Sequence, residues 1–169
     1  MAEWYRIPMT IDPREFRDAL GCFATGIAVI TALDESRAPV GLTANSFTSL
    51  SLDPPLVLFC LDRNIGSFQA MHASRHFAVN VLREDQEELS RRFARSGPDK
   101  WSGLDFATWS TGCPVLAGCI ANLECDIEQV IEGGDHVIVV GRVRRMVFDR
   151  DECRPLLYYR GRYTNVTSV

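Results

Sequence analysis

No apolar run in this 169-residue chain approaches the roughly 20 residues that a membrane-spanning helix needs. The chain also lacks an excess of positive charge. Its 18 Lys and Arg stand against 22 Asp and Glu, a net charge of −4. That balance argues against nucleic acid as a partner, since such binders normally carry a basic face. Six cysteines are present (Cys22, Cys60, Cys113, Cys119, Cys125 and Cys153), but none lies in a C-x-x-C pair. Zinc and dithiol motifs are thereby disfavoured, and each cysteine reads as a small buried apolar residue. His72 and His76 have the i, i+4 spacing of helical zinc ligands, yet no adjacent Glu or third ligand accompanies them. They read as helix-surface or partly packed histidines, so no metal is expected. Glycine fingerprints are missing too: Gly133-Gly134 is not G-x-G-x-x-G and leads into a strand, which disfavours a doubly wound nucleotide-binding fold. There are no repeats, low-complexity tracts or linkers. The first residues, MAEWYRIPMT, show no charged-then-apolar signal pattern, so a cytoplasmic location is expected.

What is present is an ordinary globular composition, 46% hydrophobic and 24% charged, suited to one domain over residues 1–169. Asp12-Pro13-Arg14-Glu15 is a helix start, with an N-cap acid and proline at the first turn, and the helix ends near Gly21. Ile27 to Leu33, Leu56 to Leu61 and Phe77 to Leu82 read as core strands. Ser67 to Ser74 reads as a short helix. Glu84 to Ala94 reads as another, with Leu89 and Phe93 on its apolar side. Arg95 to Ser102 is a polar loop.

From Ala121 the residues alternate. Ala121, Leu123, Cys125 and Ile127 share one face; Asn122, Glu124, Asp126 and Glu128 share the other. Glu132-Gly133-Gly134-Asp135 then turns the chain into a second strand, which places His136 near a hairpin tip. Seven or eight short strands without βαβ alternation predict a mainly β fold, a closed antiparallel barrel with decorating helices. Trp101 and Trp109 read as core or interface anchors.

One stretch does not fit a core role. Gly41 to Pro55, GLTANSFTSLSLDPP, is rich in hydroxyls and lies between two apolar strands. It reads as a strand that becomes an irregular loop and is broken at Asp53-Pro54-Pro55. Small side chains leave backbone N–H groups open to an anion, and hydroxyls can donate to phosphate oxygens. From spacing alone, turn capping is the commoner role of such residues.

The ordered motifs FATGIAVITA (23–32), GLTANSFTSLSLDPPLVLF (41–59), FAVNVL (77–82), GGDHVIVVGRV (133–143) and PLLYYRGRY (155–163) resemble those of the short-chain flavin reductases. The resemblance covers nearly the whole chain and implies the FMN-binding split β-barrel, a Greek-key antiparallel barrel. It also implies a homodimer that binds FMN or FAD. It further implies reduction of that flavin by NADH or NADPH, commonly to supply a separate monooxygenase component.

By the same resemblance, Thr43, Ala44, Asn45 and Ser46 lie along the isoalloxazine ring, and Ser49 and Ser51 near the ribityl chain and phosphate. Asn80, Val81 and Leu82 belong to a strand bordering the flavin, with Ser67 and Lys100 on the phosphate side. His136 meets the nicotinamide as the catalytic residue, with Arg160 and Tyr163 completing that end. Hydride transfer between two cofactor rings needs no nucleophile, metal or carboxylate pair from the protein. Two other functions use the same residues. One is a reductase of another acceptor, such as a corrinoid cobalt or a ferric chelate, through bound flavin. The other is a flavin-binding protein without turnover.

Overall fold

Asp12 caps the first helix as the sequence predicts: its carboxylate accepts the N–H groups of Arg14 at 2.8 Å and Glu15 at 3.0 Å. The structure, a computed structural model, describes residues 10–150 and 153–166, apart from the side chain of residue 98. Residues 1–9 of the stretch read for a targeting signal lie outside them. The order is α1 (Pro13–Leu20), β1 (Thr25–Gly26), β2 (Ala28–Leu33), β3 (Pro39–Ala44), β4 (Thr48–Leu52), β5 (Pro55–Asp62), α2 (Phe68–Ala73) and β6 (His76–Val81). Then come α3 (Glu87–Ala94), a 3-10 turn (Pro98–Trp101), β7 (Phe106–Thr108), β8 (Pro114–Leu116), β9 (Ala121–Gly133), β10 (His136–Phe148), β11 (Leu157–Tyr159) and β12 (Arg162–Thr164).

Seven strands form one antiparallel sheet in the order β3-β2-β6-β9-β10-β5-β4. Its two edge strands, β3 and β4, are consecutive in the chain and joined only by residues 45–47. A flat seven-stranded sheet would hold its edges about 29 Å apart at ~4.8 Å per strand. The connection reaches about 14 Å at most. The sheet must therefore curl until its edges meet. Among the described residues β3 and β4 nevertheless make no strand pairing, so the barrel is split along this seam. The closed barrel expected from the strand count is corrected to an open one. The Ser46 hydroxyl secures the connecting turn to β5, accepting the Cys60 N–H at 3.0 Å and donating to the Cys60 carbonyl at 3.3 Å.

β2 is buried on both faces, which is why it reads as a continuous apolar run. Ala28, Ile30 and Ala32 pack inside the barrel with Phe59, Phe77 and Val137. Ile27 and Val29 face an outer layer made with Leu82, Phe93, Leu116 and Leu156. The β9–β10 hairpin turns at Gly134 and Asp135, with φ +79° at Gly134. The β11–β12 hairpin turns at Arg160 and Gly161, both with positive φ, a type I′ geometry.

Several expectations need correction. The segment after Ser46 is an edge strand, β4, and not an irregular loop. Asp53-Pro54 does not break the sheet: Leu52 pairs with Pro55 across a two-residue turn, and Pro55 takes the first position of β5, where proline is tolerated. The helix expected from Glu84 begins at Glu87, because the Gln86 side chain accepts the Arg83 N–H at 3.0 Å and holds a turn there. Ser74 is extended, so His76 opens β6 and does not share a helix face with His72.

Asn122 and Glu124, on the polar face of the alternating strand, are only 7% and 0% exposed. An unanticipated pair of strands, β7 and β8, belongs to the segment that covers that face. The Glu124 carboxylate accepts the Ser110 hydroxyl at 2.7 Å and both the N–H and hydroxyl of Thr111 at 2.8 Å. These bonds hold its pKa below the usual carboxylate range against the opposing effect of burial.

Candidate functional site

β3 is an edge strand, so alternate backbone N–H groups along it lack a strand partner. Beside it opens a cleft of about 750 Å³, within the range of sites that hold cofactors. One wall is residues 39–46. The others come from the end of β5, the start of α2, the C-terminal end of α3 with the 95–101 loop, and His136 at the start of β10. Gly41 permits this arrangement, since a Cβ there would lie 2.7 Å from the Phe93 ring.

Thr43, Ala44, Asn45, Ser46, Ser67, Lys100 and His136 all line this cleft. Their side chains are differently engaged. The Thr43 hydroxyl donates to the Ser90 carbonyl at 2.6 Å, which fastens β3 to α3. The Ser46 hydroxyl is held by Cys60 as described above. Asn45 is exposed, and its amide makes no hydrogen bond among the described residues. Ser67 makes no capping bond to α2. The usable donors on this wall are thus the β3 backbone, the Asn45 amide and the Ser67 hydroxyl.

The two ends of the cleft differ in charge. At one end Lys100 donates to the carbonyls of Gly41 and Phe93, each at 3.1 Å. Burial lowers its pKa below the ordinary 10.5. At the other end His136 lies opposite Asp62 in the β10–β5 register. Its Nδ1 is 2.8 Å from the Asp135 carboxylate, which lowers the Asp135 pKa. A carboxylate can only accept, so Nδ1 carries the proton and the ring presents Nε2.

The remaining candidates lie elsewhere. Ser49 and Ser51 sit on edge strand β4 and line neither this cleft nor its neighbour. Asn80 is fully buried. Its amide donates to the Val29 carbonyl at 3.0 Å and the Thr31 hydroxyl at 3.3 Å, and its oxygen accepts the Leu116 N–H at 2.8 Å and the Asn122 amide at 2.9 Å. Val81 and Leu82 likewise do not line the cleft. Tyr163 braces α3 from behind: its hydroxyl is 2.9 Å from the Ser90 hydroxyl, and Arg91 stacks 4.6 Å over its ring. Arg160 lines a second cleft of about 1320 Å³, which shares Asn45 and Ser46 with the first and is also bordered by residues 17–26, Phe47, Thr48, Tyr158 and Gly161. Its guanidinium meets the Cys22 sulfur at 3.7 Å.

Reading the sequence alone missed Phe93, Arg95, Gly97 and Trp101 on the main cleft. The Gly97-Pro98 pair in a polar loop was the only signal for them. Trp101 stacks edge-on against Phe93 at 4.9 Å, so it serves both the outer core layer and the cleft wall. Cys125 is buried, and its thiol pKa is pushed up to about 12, which removes it as a nucleophile. Among the described residues no helix is long and apolar enough to cross a membrane.

Comparison with known proteins shows the family. Residues 20–167 match the family described as flavin reductase like domain. The reductase subunit HsaB of a flavin-dependent monooxygenase from Rhodococcus jostii (strain RHA1) is 46% identical over 92% of this chain and 79% of its own length. A probable flavin reductase from Rhizobium meliloti (strain 1021) is longer. It is 45% identical over 90% of this chain, which spans 48% of it. The NADH:FAD oxidoreductase SgcE6 of Streptomyces globisporus C-1027, solved with NAD and FAD fragments, superposes with a TM-score of 0.85. That structure is 36% identical over 95% of this chain and 98% of its own. A match spanning most of the chain, on a split barrel whose seam carries the cleft, places this protein in the flavin reductase family.

Proposed function

We propose that this chain is an NAD(P)H:flavin oxidoreductase whose flavin lies in the β3 cleft, with its phosphate at the Lys100 end and its ring beside Ala44–Ser46. The observation that carries this reading is the polarity of one cleft: Lys100 at one end, a histidine with a carboxylate-fixed tautomer at the other, and an amide-rich strand edge between. Asp62 makes the His136 end unfavourable for a phosphate. When bound, flavin accepts a hydride from reduced nicotinamide and passes the electrons on to an acceptor.

The chain's own residues bind, orient and exclude water. Backbone N–H groups of β3 and the Asn45 amide stabilise negative charge at the ring edge. Leu42, Phe93 and Trp101 supply apolar wall. Nε2 of His136 accepts a hydrogen bond from the nicotinamide carboxamide and so orients that ring. Because most of the donors are neutral, the flavin is held loosely enough to leave as a product. That suits delivery of reduced flavin to a separate oxygenase component, as the names of the relatives suggest.

Apolar side chains remain bare at the second cleft and the nearby edge. α1 has no buried residue, Phe23 is 77% exposed and Leu52 on β4 is 93% exposed. These exposures, beside an unpaired strand edge, support a homodimer in which a partner covers them. Light scattering should give the mass of two chains; the mass of one would contradict this.

His136→Ala should raise the KM for reduced nicotinamide about tenfold, the loss of one orienting hydrogen bond of ~1.4 kcal/mol. Flavin affinity measured by fluorescence quenching should stay within about twofold, because the flavin phosphate is anchored at the opposite end. A variant with unchanged kinetics would place the nicotinamide elsewhere.

A further inference from the structure

Next to the Lys100 end of the cleft lies a second groove of about 520 Å³, between the outer side of α3 and the 95–100 loop. The two share a lip made of Arg95, Ser96, Gly97 and Lys100. Gly97 holds φ +139°, a conformation that favours glycine, and a Cβ there would meet nothing within 4 Å. The two spaces therefore adjoin along this lip.

The groove is cationic on an acidic chain. Arg91, Arg92, Arg95 and Lys100 line it against Glu88 and Asp99. Arg91 is neutralised by Glu87 at 2.6 Å. Arg92 is held by the backbone carbonyls of Asp99 and Ser102, so its charge is fixed in place without being neutralised by a carboxylate. Arg95 is exposed and makes no hydrogen bond or ion pair among the described residues. An open, uncommitted guanidinium beside a lysine is suited to two linked phosphates, one on each side of the lip.

We propose that this groove seats the adenylate half of FAD, so that the chain prefers FAD to FMN. This rests on the flavin orientation proposed above. FAD continues from the FMN phosphate through a second phosphate to an adenosine, and the groove begins where the cleft places the first. Arg95 takes the second phosphate, and Arg92 offers its guanidinium face to the adenine. The alternative anion of similar chemistry, the 2′-phosphate of NADPH, enters with the nicotinamide from the His136 end.

Fluorescence quenching titrations of riboflavin, FMN and FAD against the whole protein test this, on the wild type and on Arg95→Ser. The wild type should bind FAD about tenfold more tightly than FMN, and Arg95→Ser should erase that ratio. The relative KM values for NADPH and NADH should not change. Equal affinity of the wild type for FAD and FMN would overturn the proposal, as would a ratio unaffected by Arg95→Ser. A shift in NADPH over NADH preference would also overturn it and assign the groove to the 2′-phosphate. Failure of all three flavins to bind would instead refute the flavin cleft itself.

Discussion

Asn80→Ala is expected to cost about 3–5 kcal/mol of folding stability, the range for breaking a buried hydrogen-bond network, and to leave flavin affinity within about twofold. Four hydrogen bonds converge on this fully buried amide, from β2, β8 and β9. Its loss removes a partner from the Val29 carbonyl, the Leu116 N–H and the Asn122 amide, which retains only the Leu116 carbonyl at 3.1 Å. Neighbouring Thr31 is tied into the same node, donating to the Pro114 carbonyl. The network therefore pins the β7–β8 cover onto the outer face of the barrel, where Phe106 of β7 meets Trp101 edge-on at 5.3 Å; Asn80 itself does not line the cleft. Urea denaturation with flavin titration of the folded variant separates the two roles. A stable variant that cannot bind flavin would return Asn80 to the site, where the family resemblance had put it.

Lys100→Met should weaken FMN binding by about 10- to 100-fold, equivalent to a charge-assisted hydrogen bond of ~1.5–3 kcal/mol. The pH dependence supplies a second signature. Burial lowers the Lys100 pKa from 10.5 in the folded chain, and the unfolded chain keeps the ordinary value. Between the two values the unfolded state binds more protons, so stability of the flavin-free protein rises with pH in that window. Phosphate binding requires the charged ammonium, so flavin affinity falls as pH rises through the lowered value. Stability and affinity should thus move in opposite directions on the alkaline side. Lys100→Arg should keep affinity flat there, and Lys100→Met should abolish the trend. Affinity that is independent of pH in the wild type would place the phosphate elsewhere.

Much of the barrel was legible because its signals are local. Ile27 to Leu33, Leu56 to Leu61 and Phe77 to Leu82 are apolar runs, and the Gly-Gly-Asp turn needs only one glycine at positive φ. Layering was not legible. The alternation at Asn122 and Glu124 looks like an exposed face until β7 and β8 close over it, and nothing local in residues 103–120 announces those strands.

The site divided in the same way. Residues 43–46, Ser67, Lys100 and His136 line one cleft; only 43–46 stood out from the sequence itself, as a polar segment between core strands, and the others entered by the family resemblance. Ser49 and Ser51 lie off the cleft because β4 is a strand whose pairing with β5 carries them along the sheet edge. Tyr163 sits behind α3 and off the cleft, because a C-terminal tyrosine can support a helix as readily as it can line a pocket. Arg95 was missed because an exposed arginine in a polar loop has no sequence signature until the loop is placed beside a cleft.

The central claim is that this chain passes electrons from reduced nicotinamide to flavin. It is tested most directly by mixing the purified protein with NADH or NADPH, adding FMN or FAD as sole acceptor, and following loss of the reduced-nicotinamide absorbance. The account predicts oxidation that requires the flavin and saturates with its concentration. No flavin-dependent oxidation with either nucleotide would contradict it.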